Sequence, residues 1–256
     1  MKKFQSLPNK NLLKVIVKRE LFSRFRRHRL GSSWIFLSPL LTSLVMVTAF
    51  YGIFGISEDS LLSYSFYVLS GVTLIQFINS MLINVSASVL NAKGIYSKIK
   101  VPFLTFPIAV SFVQVVYFAV GILYCLILLI LKPNWYVNPL HLIFTVCGLA
   151  LFLAGVGMFL VVLSIRFPDI GTFLPIVLQA LTYILPVFYP ESIWPPEVRQ
   201  FLIWNPFLYF IRAFRDSFLQ TSSIDLPLIL LALGLVTSLF GSIFLIRNRQ
   251  VILKSL

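Results

Sequence analysis

The chain has 256 residues, of which 59% are hydrophobic and only 11% are charged. Soluble domains carry roughly 25% charged residues, so this composition excludes a soluble globular protein. The net charge of +13 does not indicate nucleic acid, because the basic residues flank apolar segments, where they set topology and meet anionic lipid headgroups.

The first predicted element is an amphipathic helix over residues 8–30, within a basic leading segment of residues 1–33. Leu13, Val17, Leu21 and Phe25 recur every four residues, while lysines and arginines between them can point to water and phosphate. We therefore expect this helix to lie on the membrane surface. The alternative is a basic tail that only sets topology.

Six apolar segments follow, and each is predicted to cross the membrane as a helix. Each is about 18–26 residues long and lacks Asp, Glu, Lys and Arg, which suits a hydrocarbon core of about 30 Å. The segments are 34–54, 66–89, 106–131, 140–163, 172–189 and 226–246. The sequence thus predicts an all-α integral membrane protein, with residues 1–256 as one transmembrane domain, a six-span region over 34–246 and a tail over 247–256.

The distribution of basic residues predicts the orientation. Seventeen of the 21 Lys and Arg lie on the side of the two termini, and only Lys132, Arg199, Arg212 and Arg215 lie on the other. By the positive-inside rule, both termini are expected to be cytoplasmic.

The sizeable internal segment on the basic side lies between spans two and three. It is basic, mostly polar and ended by proline, so it is expected to form a short surface helix. Its candidate contact residues are Asn91, Lys93, Tyr96, Lys98 and Lys100. With so little chain on this side, the segment and the N-terminal helix are the two candidates for receiving a signal from a soluble partner.

After span five, the prolines of residues 190–196 interrupt the helix, and residues 201–211 give only eleven uncharged residues before Arg212. This length cannot span a bilayer, so we expect a re-entrant or interfacial pair of short helices. Trp204 fits an aromatic belt at the outer interface. In span six, Gly234, Ser238 and Ser242 are spaced for close helix packing, as are Ala150 and Ala154 in span four.

The sequence lacks the residues of the common membrane chemistries. All eight acidic residues lie outside the predicted spans, which disfavours proton coupling. There is no phosphate-binding loop, no H-E-x-x-H motif and no Ser/His/Asp set, so no catalytic residues are predicted. The two cysteines, Cys125 and Cys147, both fall in spans, which argues against a disulfide framework or a metal site.

The aromatic share of 15% is high, and most rings are expected to face lipid or pack between helices. Tyrosines at mid-span or at span ends could instead line a path, since a ring with a hydroxyl suits sugar faces. The candidates for such a path are Tyr51, Tyr64, Tyr67, Tyr117, Tyr124, Tyr183 and Tyr189.

Motif-like blocks stand between and beside the spans. The first reads Glu20-Leu-Phe-Ser-Arg24-Phe-Arg26-Arg-His-Arg-Leu30-Gly31-Ser-Ser-Trp34, with Pro39 five residues later. The second reads Arg166-Phe-Pro-Asp169-Ile-Gly, followed by Leu174-Pro175. The third reads Leu185-Pro-Val-Phe-Tyr-Pro190, followed by Trp204-Asn205-Pro206, Arg212 and Arg215. In this order, over nearly the whole chain, they resemble the signature blocks of ABC-type polysaccharide-export permeases, although Phe25 stands where that family commonly has Tyr.

The resemblance implies a homodimer in the cytoplasmic (inner) membrane, with an N-terminal interface helix and extracytoplasmic re-entrant helices that include Trp204, Asn205, Arg212 and Arg215. It implies two copies of a separate P-loop ATPase that binds ATP and Mg, and no cofactor or enzymatic activity in this chain. The segment that starts at Asn91 stands where the family keeps its coupling helix. The implied cargo is a polysaccharide on a polyprenyl pyrophosphate lipid, O-antigen first, with teichoic acid and capsule as alternatives.

On this interpretation four arginines before span one are candidates for binding the pyrophosphate or for the interface helix, because guanidinium forks match phosphate geometry. They are Arg24, Arg26, Arg27 and Arg29. The alternative for each is general attraction to anionic lipid. Three competing functions stay open: an ABC permease for drugs or other lipids, a membrane-embedded glycosyl- or phosphotransferase, and a passive channel.

Overall fold

The computed structural model describes residues 10–23, 33–53, 60–96, 98, 101–131, 136–218 and 223–255. Within these ranges the regular elements are all helices. In chain order they are α1 (Lys10–Ser23), α2 (Ser33–Val47) with a π-helical continuation (Thr48–Ile53), α3 (Leu61–Asn91), α4 (Lys93–Tyr96), α5 (Thr105–Ile130), α6 (Pro139–Arg166), α7 (Ile170–Ile184), a 3-10 turn (Glu191–Ile193), α8 (Pro196–Leu202), α9 (Pro206–Asp216), α10 (Asp225–Arg247) and α11 (Arg249–Ser255). The predicted site residues Arg24, Arg26, Arg27, Arg29 and Lys100 lie outside the described residues.

Four helical segments in the described chain are long and apolar enough to cross a membrane. They are Leu61–Tyr96, Thr105–Ile130, Pro139–Arg166 and Asp225–Arg247, which match predicted spans two, three, four and six. The segments predicted as spans one and five contain shorter apolar helices, Leu37–Gly52 and Ile170–Ile184. The prediction of an all-helical, multi-pass membrane protein is confirmed, and the count of six spans stays a prediction.

Two helix ends differ from the predicted span limits by about five residues, each for a local reason. α7 ends at Ile184, before the predicted limit at residue 189, because Leu185 precedes a proline and adopts an extended backbone with φ −74° and ψ 152°. α3 begins at Leu61, before the predicted start at residue 66. There the Ser60 side-chain oxygen accepts a hydrogen bond from the Ser63 amide at 3.2 Å and caps the helix.

α3 is the central helix of the fold. It contacts α2, α5, α6, α7 and α9, and its 31 residues extend about 46 Å at 1.5 Å per residue. Side chains on several sides of it are buried, including Tyr64, Leu74 and Met81. This burial accounts for the hydrophobic residues on every side of α3, although the helix also carries polar residues such as Gln76 and Asn84.

α6 and α10 form the most extensive helix pair, and glycines let their backbones touch. A Cβ on Gly234 would lie 2.3 Å from the Gly148 carbonyl oxygen, and one on Gly241 would lie 2.2 Å from the Gly155 carbonyl oxygen. Small residues at a helix interface permit this approach in a membrane, where packing rather than the hydrophobic effect holds helices together. The prediction of close packing at Gly234 is confirmed, and its partners across the seam are these α6 glycines.

Candidate functional site

Arg215 of α9 reaches across to α3 and to the loop that follows α7, residues 185–190, here called the α7 loop. Its Nη1 donates to the Pro186 carbonyl oxygen at 2.8 Å, and its Nη2 donates to the carbonyl oxygens of Tyr67 and Val187 at 3.1 and 3.3 Å. Its Cζ also lies 3.5 Å from the centroid of the Tyr67 ring. A guanidinium carries five donors in a plane, so this one side chain ties the α7 loop to α3.

Two tyrosines of α3 complete the attachment of the α7 loop. The Tyr64 hydroxyl donates to the Phe188 carbonyl oxygen at 2.8 Å, and Tyr64 is only 1% exposed. The Tyr67 hydroxyl can donate to the carbonyl oxygen of Pro186 at 3.0 Å or to that of Tyr189 at 2.8 Å. These two tyrosines, Arg215 and the α7 loop form what we call the arginine–tyrosine cluster. Residues predicted separately, as sugar-path tyrosines and hairpin arginines, therefore act together to hold one loop backbone.

The hairpin residues before Arg215 have separate positions. Arg212 forms a two-point ion pair with Glu191: Nε donates to Oε1 at 2.8 Å, and Nη2 contacts Oε2. The hydrogen bond to this carboxylate raises the pKa of Arg212. The Asn205 side chain caps α9 by accepting from the Phe207 amide at 3.0 Å, and Trp204 beside it is 87% exposed. The two short helices α8 and α9 form where predicted, and their re-entrant insertion stays a prediction.

At the other end of α3, the N-terminal helix packs on the segment between α3 and α5, which includes Ala92, α4 and Val101 and which we call the connector. Ile16 of α1 is buried with Ala92, Val101, Phe106 and Ala109, a group that we call the connector cluster. Leu13 and Val17, on the predicted apolar face of α1, pack against its edge together with Leu12, Ile95 and Tyr96. The two elements singled out as receivers of a signal therefore form one packed unit.

The polar side of this unit is open to solvent. Asn91, Lys93 and Lys98 are exposed. Tyr96 instead points inward, with its hydroxyl 3.3 Å from the Phe103 carbonyl oxygen and its ring 5.1 Å from the ring of Phe106. Three of the predicted coupling residues are thus displayed on the surface, and Tyr96 anchors the segment that carries them.

The remaining candidate tyrosines are not gathered at one place. Tyr51 lies beside the arginine–tyrosine cluster, with its ring centroid 5.7 Å from that of Tyr64. Tyr183 is 56% exposed on α7. Tyr117 borders a cavity between α2, α3 and α5, and Tyr124 lies further along α5. Their role in a sugar path stays a prediction.

Two residues important to this arrangement were not singled out by the sequence patterns. Ile16 is the buried residue of α1, although Leu13 and Val17 mark the periodic face. Gln114 is a polar residue on α5, only 2% exposed. The available signal for Gln114 was its polarity inside a predicted span, since polar groups within a membrane are costly and usually functional.

Comparison with known proteins identifies the family of the chain. The family model described as ABC-2 type transporter matches residues 11–219, a range that includes most of α1, the connector and the arginine–tyrosine cluster. The polysialic acid transport protein KpsM of Escherichia coli is 28% identical over 239 residues, 91% of each chain. The O-antigen export system permease protein RfbA of Klebsiella pneumoniae is 24% identical over 244 residues, again 91% of each chain. The inner membrane transport permease YadH of Escherichia coli K12 is 28% identical over 218 residues, 79% of this chain and 82% of its own. The chain belongs to the ABC-2 type transporter family.

Proposed function

We propose that this chain is the membrane-spanning subunit of an ATP-driven exporter of polysaccharide linked to a polyprenyl pyrophosphate lipid. ATP and Mg bind to a separate P-loop ATPase, and this chain carries neither a cofactor nor a hydrolytic site. The cargo we propose first is O-antigen. Teichoic acid, capsule, or a smaller lipid or drug is the alternative.

The observation that carries the proposal is the packing of α1 on the connector. A transporter without its own phosphate loop needs a rigid surface on which an ATPase can act. Ile16 joins α1 to the residues around Ala92 and Val101 through a buried apolar contact, while Lys93 and Lys98 stay exposed on the same unit. A force applied to those exposed residues therefore reaches α3 and α5 directly, because both helices run out of this unit.

The named relatives support the choice of cargo. By their names, KpsM transports polysialic acid and RfbA exports O-antigen, and this chain aligns with each over 91% of its length. The common element is a polymer of sugars.

We further propose that α2 and α7 complete a set of six spans, with both termini in the cytoplasm. The 15 residues of α7 extend about 22 Å, less than a hydrocarbon core of about 30 Å. The α7 loop and the arginine–tyrosine cluster would then lie within the outer part of the membrane. Two such chains would form the exporter with two ATPase subunits.

Arg24 and Arg26 are proposed to meet the pyrophosphate at the cytoplasmic leaflet. Replacing both with glutamine should abolish export while leaving membrane insertion intact, because the anion loses its charge-assisted hydrogen bonds. Export at the wild-type level in the double variant would remove these residues from the mechanism.

The decisive experiment purifies the tagged chain in mild detergent from its native membrane and identifies co-purifying proteins by mass spectrometry. A P-loop ATPase in roughly equal amount, together with loss of surface polysaccharide in a deletion strain, is the expected result. Isolation of the chain alone, under conditions that keep a known ABC complex intact, would favour a channel or a membrane enzyme. An unchanged surface polysaccharide with an ATPase present would favour a drug or lipid cargo.

A further inference from the structure

A cavity of about 430 Å³ lies between α2, α3 and α5. This volume falls within the range of small-ligand sites, about 300–1,000 Å³. Its lining combines amide and hydroxyl side chains with aromatic rings. Among the lining residues are the amides Gln76, Asn79 and Gln114 and the aromatic residues Trp34, Tyr117 and Phe118.

Four polar side chains of α3 follow one face of the helix over about three turns. Gln76, Ser80, Asn84 and Ser88 recur every four residues, which places them on one stripe. The first two line the large cavity, and the last two line a second cavity of about 210 Å³ nearer to the connector. Gln114 of α5 lines both cavities. The two cavities therefore share a wall residue and follow one polar stripe from the connector into the membrane.

Two amides in the wall of the large cavity have unused hydrogen-bonding capacity. The Oε1 atom of Gln114 and the Oδ1 atom of Asn79 are buried, and neither has a partner among the described residues. The amide nitrogens around the cavity serve mainly to tie helices together: Asn79 lies 3.4 Å from the Thr182 hydroxyl, and Gln76 lies 3.3 Å from the Thr42 hydroxyl. An unpaired buried acceptor is unfavourable, so a group in the cavity that donates hydrogen bonds to these oxygens would be stabilised there.

The charge of the lining residues limits which kind of group can occupy the large cavity. None of the described residues that line the large cavity is ionisable to a cation. A carboxylate or phosphate placed there would be desolvated without a counter-charge, which is far more costly than burying a hydroxyl. Arg19 lines the second cavity but not the large one, and there it is paired with the carboxylate of Glu20. The large cavity therefore suits a neutral group with many hydroxyls. The rings of Trp34 and Tyr117 add apolar surface to its lining, whereas Phe118 is already stacked on Phe77.

We propose that the cavity between α2, α3 and α5 binds uncharged sugar units of the cargo within a single protomer. Gln114 and Asn79 accept hydrogen bonds from sugar hydroxyls, and the stripe of α3 continues the polar surface towards the connector. Anionic sugar units are bound poorly there. This inference rests on the proposed function, because it takes the cargo to be a polysaccharide.

The test compares two probes that differ in one group, methyl β-glucoside and methyl β-glucuronide, whose C6 is a hydroxymethyl in one and a carboxylate in the other. The full chain, with its co-purified partners, is placed in lipid nanodiscs, and saturation-transfer NMR measures binding of each glycoside at millimolar concentration. Gln114→Leu removes the orphaned oxygen at nearly constant volume. Asn79→Leu removes the other unpaired amide oxygen. Gln179→Leu, at an exposed position on α7, is the matched control.

The glucoside should bind to the wild type, and Gln114→Leu should weaken binding about three- to tenfold, the loss expected for one hydrogen bond. Gln179→Leu should leave binding unchanged, and the glucuronide should bind at least about tenfold more weakly than the glucoside. Monodisperse elution of each variant confirms folding. The result that overturns the inference is any of these: no glucoside binding to the wild type, equal binding of both glycosides, equal binding to the wild type and to both cavity variants, or an equal loss with Gln179→Leu.

Failure here is distinct from failure of the proposed function. If the deletion strain loses surface polysaccharide and the ATPase co-purifies, while no glucoside binds, the exporter assignment stands and only the cavity loses its role. If the surface polysaccharide is unchanged and no ATPase is found, the exporter assignment fails, whatever the cavity binds.

Discussion

Replacement of Arg215 should destabilise the protein far more than replacement of Arg212, although the two lie three residues apart on α9. Arg215 gives hydrogen bonds to three carbonyl oxygens, whereas Arg212 forms one partly exposed ion pair with Glu191. In Arg215→Leu, the Pro186 oxygen can still accept from the Tyr67 hydroxyl.

The magnitude follows from what remains unpaired after this change. The Val187 carbonyl oxygen has Arg215 as its side-chain donor, so its loss costs about 1–3 kcal/mol as a buried orphan. The cation–π contact with Tyr67 adds about 0.5–1 kcal/mol or more. We therefore expect a loss of about 2–4 kcal/mol for Arg215→Leu. For Arg212→Leu, a partly exposed pair is expected to contribute about 0.2–1 kcal/mol.

Thermal unfolding in detergent, monitored as the loss of monodisperse protein, measures the difference in stability between the two variants. Arg215→Lys adds a geometric control, because an ammonium keeps the charge but lacks the rigid planar donor geometry of a guanidinium. Its melting temperature should fall between those of the wild type and Arg215→Leu. An equal or larger loss for Arg212→Leu would refute the idea that the α7 loop depends on Arg215.

Three further changes test other parts of the fold. Gly241→Ala should lower stability by about 1–3 kcal/mol in the same assay, because its Cβ would lie 2.2 Å from a carbonyl oxygen of α6, whereas Gly171→Ala, with open space around it, should be neutral. Ile16→Asp should uncouple ATP hydrolysis from transport in the purified complex, because it places a carboxylate in the connector cluster. Val15→Asp, at a site 65% exposed, is the control and should leave coupling intact. Similar coupling in the two variants would contradict the role of the connector cluster. Burial raises the pKa of Asp216 above its ordinary value, so ionisation of this carboxyl opposes folding as the pH rises through the folded pKa. Asp216→Asn should therefore be more stable than the wild type at neutral pH. Melting curves at several pH values should show this advantage disappear below the ordinary pKa of a carboxyl.

The helices of this protein were predictable because their signals are local. Uninterrupted apolar runs gave the long spans, and the proline after Leu185 accounts for the early end of α7. The sequence did not identify Ser60 as the helix cap, because serine is also common within the spans. The start of α3 was therefore predicted too late in the chain. Neighbouring residues in the sequence are enough to predict that a segment is helical. The exact ends of a helix depend on one or two hydrogen bonds that the sequence does not show.

The partners of the polar side chains could not be predicted, because they are distant in the chain. Arg215 donates to Tyr67, which lies 148 residues away, and the sequence offers nothing that links the two. From the sequence alone, the tyrosines on α3 could either line a sugar path with free hydroxyls or donate hydrogen bonds to a loop. Only the position of the α7 loop beside α3 distinguishes these roles. Gln114 posed the same problem, since an amide in a span indicates a polar environment but does not say which helices surround it.

The glycine seam between α6 and α10 has a consequence for the assembly of the chain in the membrane. Residues 167–224 separate the two helices, so α10 leaves the ribosome long after α6 has been made. Until α10 inserts, the Gly148 and Gly155 face of α6 has no partner close enough to fill its groove, and lipid tails must occupy it. The last long helix is therefore the element that closes the fold, and a nascent chain released before α10 is complete would retain an open groove on α6.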